Sequence, residues 1–220
     1  TTKKEIFMES VASPLFKGFS PAALDALHAA GYLRKKKFAK REIIFHAGSR
    51  VQEIGVVLRG TVHIENLDLW GSKSLLGSIP AGQVFAETYA FCGDALMVDA
   101  VAAEDCEVLF VHTGALQAAG PWQPMLLQNL LTVSMRKNLG LSQRIFCTTP
   151  KTIRGRLLTY FSAQAAKSGS LHFEIPLNRQ QLADYLNLDR SALSKELGKM
   201  RDEGLLEFEK NRFVLKELPE

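Results

Sequence analysis

The segment Asn178–Leu197, NRQQLADYLNLDRSALSKEL, limits the fold most tightly, because its apolar residues fit two short helices joined by a sharp turn. Leu182, Ala183 and Leu186 fall on one face of the first helix, and the small Ala183 lets a second helix approach closely. Asn187 follows them, and asparagine tolerates the left-handed backbone that such a turn requires. The segment therefore predicts a helix-turn-helix.

The second helix of this pair is expected to bury one face and to expose polar side chains at its amino-terminal half. Asp189 is a favourable N-cap for it. Its buried face is predicted to contain Leu193, Leu197 and Met200. Its outward face is predicted to contain Arg190, Ser191, Ser194 and Lys195. In helix-turn-helix proteins this half meets base edges, and arginine fits the paired acceptors of guanine, so these four residues are candidates for reading DNA.

Further basic and hydroxyl side chains near the helix pair are candidates for contacts with the phosphate backbone, which fix register without reading bases. They are Thr152, Arg154, Arg179, Lys199, Lys210 and Arg212. The chain carries a net charge of only +4, from 27 basic and 23 acidic residues. That excess does not indicate nucleic acid by itself, so recognition has to come from the local placement of charge.

The residues around the helix pair predict a small domain over residues 149–220. A helix is expected to begin after Pro150 and to end before Gly169, followed by a short strand in LHFEIPL. After the helix pair, two alternating segments flank Lys210-Asn211, which predicts a β-hairpin. Helix, helix, helix and hairpin is the order of a winged helix-turn-helix.

Residues 1–120 are predicted to form an antiparallel β domain. Glycine-containing turns, one of them at residues 70–72, separate six apolar runs: EIIF, EIGVVL, TVHIENL, KSLLGSI, LMVDAVA and CEVLFV. Many short strands at such regular spacing are typical of a sandwich or a barrel-like roll. A short helix capped by Ser20 is expected ahead of them, so the fold class is α+β.

Residues 121–148 are predicted to form one long helix, because no proline interrupts Met125–Phe146. Within it a 4-3-4-3 spacing relates Leu127, Leu131, Ser134, Asn138 and Leu141, and the flanking residues are Leu130 and Val133. Heptad-like seams pair helices, and polar seam residues can fix register and oligomeric state. A dimerisation helix is the favoured interpretation, and a single helix packed against the β domain is the alternative.

The composition favours a soluble globular protein without a metal site or a disulfide framework. Hydrophobic residues make up 46% of the 220, yet no apolar run reaches the roughly 18 residues that a membrane helix needs. The first ten residues lack the apolar core of a secretion signal, so a cytoplasmic location is expected. Cys92, Cys106 and Cys147 show no CxxC spacing, and the five histidines show no metal-site spacing.

Three further segments stand beside the long helix and the helix-turn-helix: TIRGRLLTYF, AGQVFAETYAF and FAKREIIFHAGSRVQEIGVVLRGTVHI. With these features most of the chain, roughly residues 15–216, resembles one bacterial family, that of the cAMP receptor protein and the fumarate-nitrate reduction regulators (Crp/Fnr). The resemblance implies a cupin-like β-roll that senses an effector, a dimerisation helix and a winged helix-turn-helix. It also implies binding to palindromic promoter DNA and contact with RNA polymerase.

Two departures from the family bear on the effector. In cAMP-binding members, a Gly-Glu pair is followed by an Arg-Ser pair that holds the cyclic phosphate. Here the matching residues are Ala86-Glu87 and Leu96-Met97. A phosphate buried against leucine and methionine would keep its charge unpaired, at a cost of several kcal/mol, so cAMP is not expected.

Other parts of the resemblance extend this conclusion. Leu141-Ser142 stands where the family places the Thr-Ser pair that contacts adenine, and residues 1–30 lack the cysteines that hold an iron-sulfur cluster in the oxygen-sensing branch. The candidate effector-binding residues are Phe85, Ala86, Glu87, Thr88, Tyr89, Phe91, Cys92, Leu96, Met97, Leu141 and Ser142. This apolar and aromatic set suits a small hydrophobic ligand, and family branches suggest haem or an aromatic or halogenated phenol. The alternative is that these residues simply pack in the core of the sheet and bind no ligand.

The favoured function is a homodimeric DNA-binding transcription regulator gated by a small molecule, with no enzymatic activity. A regulator that responds to thiol oxidation through Cys92, Cys106 or Cys147 is one alternative. A cupin-type metalloenzyme with an accessory helical domain is another. The roll lacks the histidine and glutamate spacing that such an enzyme needs.

Overall fold

The computed structural model describes residues 13–67 and 73–216. Internal contacts divide the chain into two units, with the boundary in sequence between Arg136 and Lys137. This division falls inside the long helix, whereas the sequence predicts boundaries after residues 120 and 148; those boundaries stay predictions. The predicted turn at residues 70–72 lies outside the described residues.

The first unit contains two four-stranded antiparallel sheets, with strand orders β1-β8-β3-β6 and β2-β7-β4-β5. The strands are β1 (Leu33–Phe38), β2 (Ile43–Phe45), β3 (Glu53–Arg59), β4 (Thr61–Leu67), β5 (Lys73–Pro80), β6 (Val84–Phe85), β7 (Asp99–Ala102) and β8 (Cys106–His112). The helices are α1 (Pro21–Ala29), α2 (Glu87–Cys92) and the first part of α3 (Gln123–Thr148), with 3-10 turns at Pro14–Phe16 and Thr113–Leu116. The predicted α+β class, the antiparallel β domain and the long helix are confirmed.

The core of the first unit consists of two apolar clusters that share strand β3. Ile54 and Val56 belong to one cluster, together with residues of α1 and α3. Val57 belongs to the other, together with Val62 of β4 and Ala100 of β7 in the second sheet. Successive side chains of a strand point to opposite faces, so β3 is buried on both sides, against helices and against the second sheet.

The strand β1 is not among the apolar runs that the sequence indicates, because four of its six residues are basic. It pairs with β8 along its whole length. Glu107 on β8 lies 2.6 Å from Lys35 and 3.1 Å from Lys37. The hydrogen bond from Lys35 is the main cause that holds the pKa of Glu107 below its usual range. Carboxylates on neighbouring segments thus partner this basic run within the first unit.

The short helix α2 lies within and just after the segment AGQVFAETYAF, for which the sequence predicts no helix. Ala86 precedes it with φ of 61°, the left-handed conformation that favours glycine. The resemblance places glycine at this position, a residue that adopts this conformation more readily than alanine. Gly93 ends the helix in the same conformation.

The amino half of the long helix has one buried face and one exposed apolar face. Leu126, Leu130 and Val133 are buried in the core of the first unit. This face packs against the β domain, as the alternative prediction has it. Leu131 and Met135 on another face are exposed, which leaves an apolar surface beyond that packing.

The second unit contains the rest of α3 and a three-stranded sheet of order β10-β11-β9. Its other helices are α4 (Ile153–Ser168), α5 (Arg179–Tyr185) and α6 (Arg190–Asp202). Its strands are β9 (His172–Glu174), β10 (Leu206–Glu209) and β11 (Arg212–Leu215). The predicted order of three helices and a hairpin is confirmed, and Lys210 in the hairpin turn has φ of 54°.

Candidate nucleic-acid interface and apolar groove

The turn between α5 and α6 is built by local hydrogen bonds. Asn178 and Gln181 form a capping box at the start of α5, with both bonds at 2.9 Å. Asn187 lies in the turn with φ of 52°. A carboxylate oxygen of Asp189 accepts a bond from the backbone N–H of Ala192 at 2.9 Å and caps α6. The predicted turn and N-cap are confirmed.

Helix α6 separates an apolar face from a polar face. Leu193, Leu197 and Met200 are fully buried. Arg190, Ser191, Ser194 and Lys195 are all exposed. The Ser191 hydroxyl donates to Asp189 and is the main cause that lowers the pKa of this carboxyl. Ser191 therefore shares in the cap, while Arg190, Ser194 and Lys195 form the outward set.

Arg154, a predicted phosphate contact, is engaged by two carboxylates of the second unit. Its Nε donates to Glu196 at 2.7 Å, and its two terminal nitrogens donate to Glu203 at 2.7 and 2.8 Å. The bond to Glu203 is the main cause that raises the pKa of Arg154, and it lowers the pKa of Glu203. Arg154 thus links α4 to α6, and a phosphate contact by this guanidinium would compete with both carboxylates.

Arg179 supports the hairpin. Its guanidinium lies 5.0 Å from the ring centre of Phe208 and 5.7 Å from that of Phe213, and it donates to the carbonyl of Lys210 at 3.3 Å. Burial lowers the pKa of Arg179. The side chain therefore packs beneath the hairpin, whereas Lys210 is exposed at its tip.

The other predicted phosphate contacts lie at the surface of the second unit. Thr152 is exposed and its hydroxyl caps α4 by accepting from the N–H of Gly155 at 3.0 Å. Lys199 lies 3.9 Å from Glu196, and Arg212 donates to Glu174 at 3.4 Å. The roles of these residues at DNA stay predictions.

Two arginines that the sequence does not single out bind the end of α5. Arg144, near the end of α3, donates from Nε to the carbonyl of Tyr185 at 3.0 Å. Its Nη2 donates to the carbonyl of Asp184 at 3.0 Å and to Oδ1 of Asn187 at 3.1 Å. The last carbonyls of a helix have no partners within it, and a cation satisfies them well.

Arg156 in α4 binds the same turn from another side. Its Nη1 donates to the carbonyls of Leu186 and Asn187, both at 3.0 Å. Its Nε donates to the carbonyl of Pro150 at 2.8 Å. The acceptors in the turn lie about 30–43 residues from these arginines in sequence, so no local motif indicates the bonds.

An apolar groove of about 540 Å³ lies in the first unit, between α2 and the amino half of α3. Its lining residues are Glu87, Thr88, Phe91, Cys92, Leu127, Gln128, Leu130, Leu131, Ser134 and Met135. Four of them belong to the predicted effector block. The other six come from the long helix, where the sequence indicates a seam rather than a binding surface.

The remaining candidate effector residues lie elsewhere. Phe85 and Leu96 are buried in the core, and Tyr89 and Ala86 pack against it. Met97 is 77% exposed. Leu141 and Ser142 belong to the second unit and are exposed there. The structure therefore does not gather these residues around the groove, and their binding roles stay predictions.

The three thiols differ in exposure. Cys92 is exposed, whereas Cys106 and Cys147 are buried. The Sγ of Cys106 lies 3.1 Å from the carbonyls of Thr61 and Glu104. Burial raises the pKa of Cys147.

Metal-ligand clusters and membrane-spanning helices are both absent from residues 13–67 and 73–216. Within these ranges, no three histidine, cysteine, aspartate or glutamate side chains come together as they would around a metal ion. None of the described helices combines the length and the apolar character needed to cross a membrane.

Comparison with protein families gives two matches along the chain. Residues 35–119 match the cyclic nucleotide-binding domain, and residues 155–220 match the Crp-like helix-turn-helix domain. An effector-binding domain followed by this helix-turn-helix defines a DNA-binding regulator. The chain belongs to the Crp/Fnr family of transcription regulators.

Relatives of known name support this family. The chain is 24% identical to the cyclic AMP receptor protein of Thermus thermophilus over 194 residues, which cover 88% of each chain. It is 23% identical to electron transport regulator A of Shewanella oneidensis over 193 residues, which cover 83% of this chain and 74% of the relative.

Solved structures share the fold. The catabolite activator protein of Thermus thermophilus is 24% identical, with a TM-score of 0.51 over 94% of this chain and 95% of that chain. CprK in complex with OCPA is 14% identical, with a TM-score of 0.65 over 87% of this chain and 88% of that chain.

The difference in thiol exposure predicts the labelling of the folded protein. With excess 5,5′-dithiobis(2-nitrobenzoate), we expect one rapidly reacting thiol, and Cys92→Ser should abolish the rapid phase, because only Cys92 is exposed. After unfolding in guanidinium, all three thiols should react with the reagent. A rapid phase of unchanged size in Cys92→Ser would contradict the structure, and Cys106→Ser is the matched control.

Proposed function

We propose that this protein is a homodimer that reads a palindromic promoter site under the control of an apolar ligand. The single observation that carries the DNA-binding part is the capped helix α6, which exposes Arg190, Ser194 and Lys195 while Leu193 and Leu197 anchor its other face. A rigid helix with this outward set fits the major groove. Contact with RNA polymerase and a cytoplasmic location accompany this role and stay predictions.

Dimerisation is supported by the exposed apolar residues of α3. They are Leu131 and Met135 in the first unit and Leu139, Leu141, Ile145 and Phe146 in the second. Exposed apolar side chains that recur along one helix are a common feature of interaction sites. The heptad spacing that starts at Leu127 continues to Ile145, which favours a second copy of the same helix as the partner. A two-fold dimer would place two α6 helices about 34 Å apart, one turn of DNA.

The apolar groove supports the choice of effector. Its described lining contains the carboxylate of Glu87 and no lysine or arginine. A cyclic phosphate in this groove would lack a cationic partner, whereas an aromatic or halogenated ligand would contact Phe91, Leu127 and Leu131. We therefore favour a small apolar effector over cAMP, with haem as an alternative.

A redox-responsive regulator remains a second candidate, because the exposed Cys92 borders this groove. A bulky oxidised thiol there would occupy the same space as a ligand. Operator affinity before and after mild oxidation, compared between the native protein and Cys92→Ser, distinguishes the two candidates. A loss of affinity on oxidation that Cys92→Ser abolishes would favour the redox candidate.

The DNA-reading role of Arg190 predicts a change in both affinity and base preference. On the duplex that the native protein selects from a random pool, Arg190→Ala should lose about 1–3 kcal/mol and relax the preference at one position of each half-site. Fluorescence anisotropy at fixed salt measures both effects. Arg201→Ala, a change of an exposed arginine near the end of the same helix, is the control. Unchanged base preference in Arg190→Ala would remove this residue from the reading face.

The dimer seam predicts the outcome of placing a charge in it. Ile145 is 66% exposed, and Ile145→Asp should convert the native dimer into a monomer of 24.4 kDa, because a buried unpaired carboxylate opposes pairing. Sedimentation equilibrium measures the mass. Leu75→Asp, at a residue of β5 that is 58% exposed, should leave the dimer intact. A native protein that sediments as a monomer would refute the proposed seam, and so would an Ile145→Asp variant that remains dimeric.

The groove predicts which substitution blocks the effector. A chlorophenol that binds the native protein should raise its melting temperature, and Thr88→Trp, which fills the groove from α2 and lies outside the helix seam, should abolish that rise. Met97→Trp lies outside the groove lining and should keep the rise. Loss of the rise in Met97→Trp alone would place the ligand beside Leu96 and Met97 instead. Stabilisation of the native protein by cAMP but by no chlorophenol would overturn the proposed effector class.

A further inference from the structure

We propose that Arg144 is a positioning residue that fixes the helix-turn-helix against the carboxyl half of α3 and thereby sets the half-site spacing that the protein reads. This inference rests on the homodimer proposed above. It assigns to Arg144 a role without any contact to DNA or effector. The argument needs only residues of the second unit, which begins at Lys137.

The geometry of Arg144 is that of a clamp. Three donated bonds of 3.0–3.1 Å join its guanidinium to Asp184, Tyr185 and Asn187. The guanidinium also lies 5.8 Å from the ring centre of Tyr185. A planar guanidinium fixes direction as well as distance, because several of its donors act at once.

The position of these acceptors gives the clamp its effect. Asn187 lies two residues before Asp189, the N-cap of α6. A shift of the turn relative to α3 would therefore move the amino end of α6, which carries Arg190. Cys147, one turn after Arg144, is fully buried in the core of the second unit and anchors the same end of α3.

The same segment of α3 carries the proposed dimer contacts. Leu141 and Ile145 are exposed on either side of Arg144 in sequence. When two such segments pair, each clamp holds one helix-turn-helix at a fixed place relative to the two-fold axis. The distance between the two α6 helices then follows from the clamp, and with it the half-site spacing.

Arg156 gives a useful contrast. It binds the same turn from α4, and it also holds Pro150. Its bonds stabilise the helix-turn-helix domain itself. Loss of Arg156 should therefore weaken binding to DNA of every spacing, whereas loss of Arg144 should change the preference among spacings.

The test uses the full-length protein and the inverted repeat that it selects, with the centre of the repeat shortened or lengthened by one or two base pairs. Anisotropy titrations give affinities for each spacing and for a duplex with a single half-site. The variants are Arg144→Gln, Arg144→Lys and Asn187→Gly, which removes one acceptor and keeps a residue suited to positive φ. Arg136→Gln, an exposed arginine of the same helix, is the matched control.

We compare the affinity for the duplex of best spacing with the affinity for each duplex of altered spacing. Arg144→Gln should reduce this ratio of affinities by roughly three- to tenfold. Single half-site affinity should stay within about twofold, because the donors of Arg144 are engaged by the turn and Arg190, Ser194 and Lys195 are untouched. Asn187→Gly should shift the ratio in the same direction, Arg144→Lys should restore it in part, and Arg136→Gln should not change it.

Two results would overturn the inference. An unchanged spacing ratio in Arg144→Gln would show that the clamp does not position the domain. An equal loss on every spacing and on the single half-site would assign Arg144 a role in folding alone. If the native protein itself shows no preference among spacings, the proposed homodimer is wrong, and the inference about Arg144 is wrong with it. A native preference that Arg144→Gln leaves unchanged contradicts only the inference about Arg144.

Discussion

The carbonyl oxygens at the end of α5 are the constraint on which the DNA-binding unit depends. The last carbonyls of a helix lack the N–H partners of a following turn. At the end of α5, the carbonyl of Asp184 accepts from the backbone N–H of Asn187, and Arg144 and Arg156 supply further donors from two different helices. These bonds tie the end of α3 and the start of α4 to the turn that precedes α6.

The long helix serves different purposes on different faces. In the first unit, Leu130 and Val133 are buried against the β domain, while Leu131 and Met135 border the apolar groove. In the second unit, Cys147 is buried. The proposed ligand groove and the proposed dimer surface therefore share Leu131 and Met135. On this proposal an apolar effector would alter pairing directly in the first unit.

The helix-turn-helix could be predicted from the sequence because its determinants are local. Asp189 caps the helix that follows it, Asn187 adopts the left-handed turn, and the spacing of Leu193 and Leu197 fixes the buried face. The apolar strands follow from local pattern in the same way. Strand β1 could not be predicted, since its basic residues depend on carboxylates such as Glu107, about 70 residues away.

The sites were harder to predict for the same physical reason. Arg154 has the charge of a phosphate contact, but its carboxylate partners are about 40–50 residues distant in sequence and are visible only in the fold. The groove is lined by residues of both α2 and α3, so no single segment of the sequence contains all of its lining residues. Phe85 and Leu96 are among the candidate effector residues, yet both are buried in the core of the first unit.

Selection from a pool of random duplexes, followed by sequencing, tests the central claim most directly. We predict enrichment of an inverted repeat whose half-sites lie about 10 base pairs apart, centre to centre, because two α6 helices related by a two-fold axis meet successive major grooves. Enrichment of a direct repeat, of an isolated half-site or of no sequence at all would contradict a symmetric dimer that reads DNA through α6.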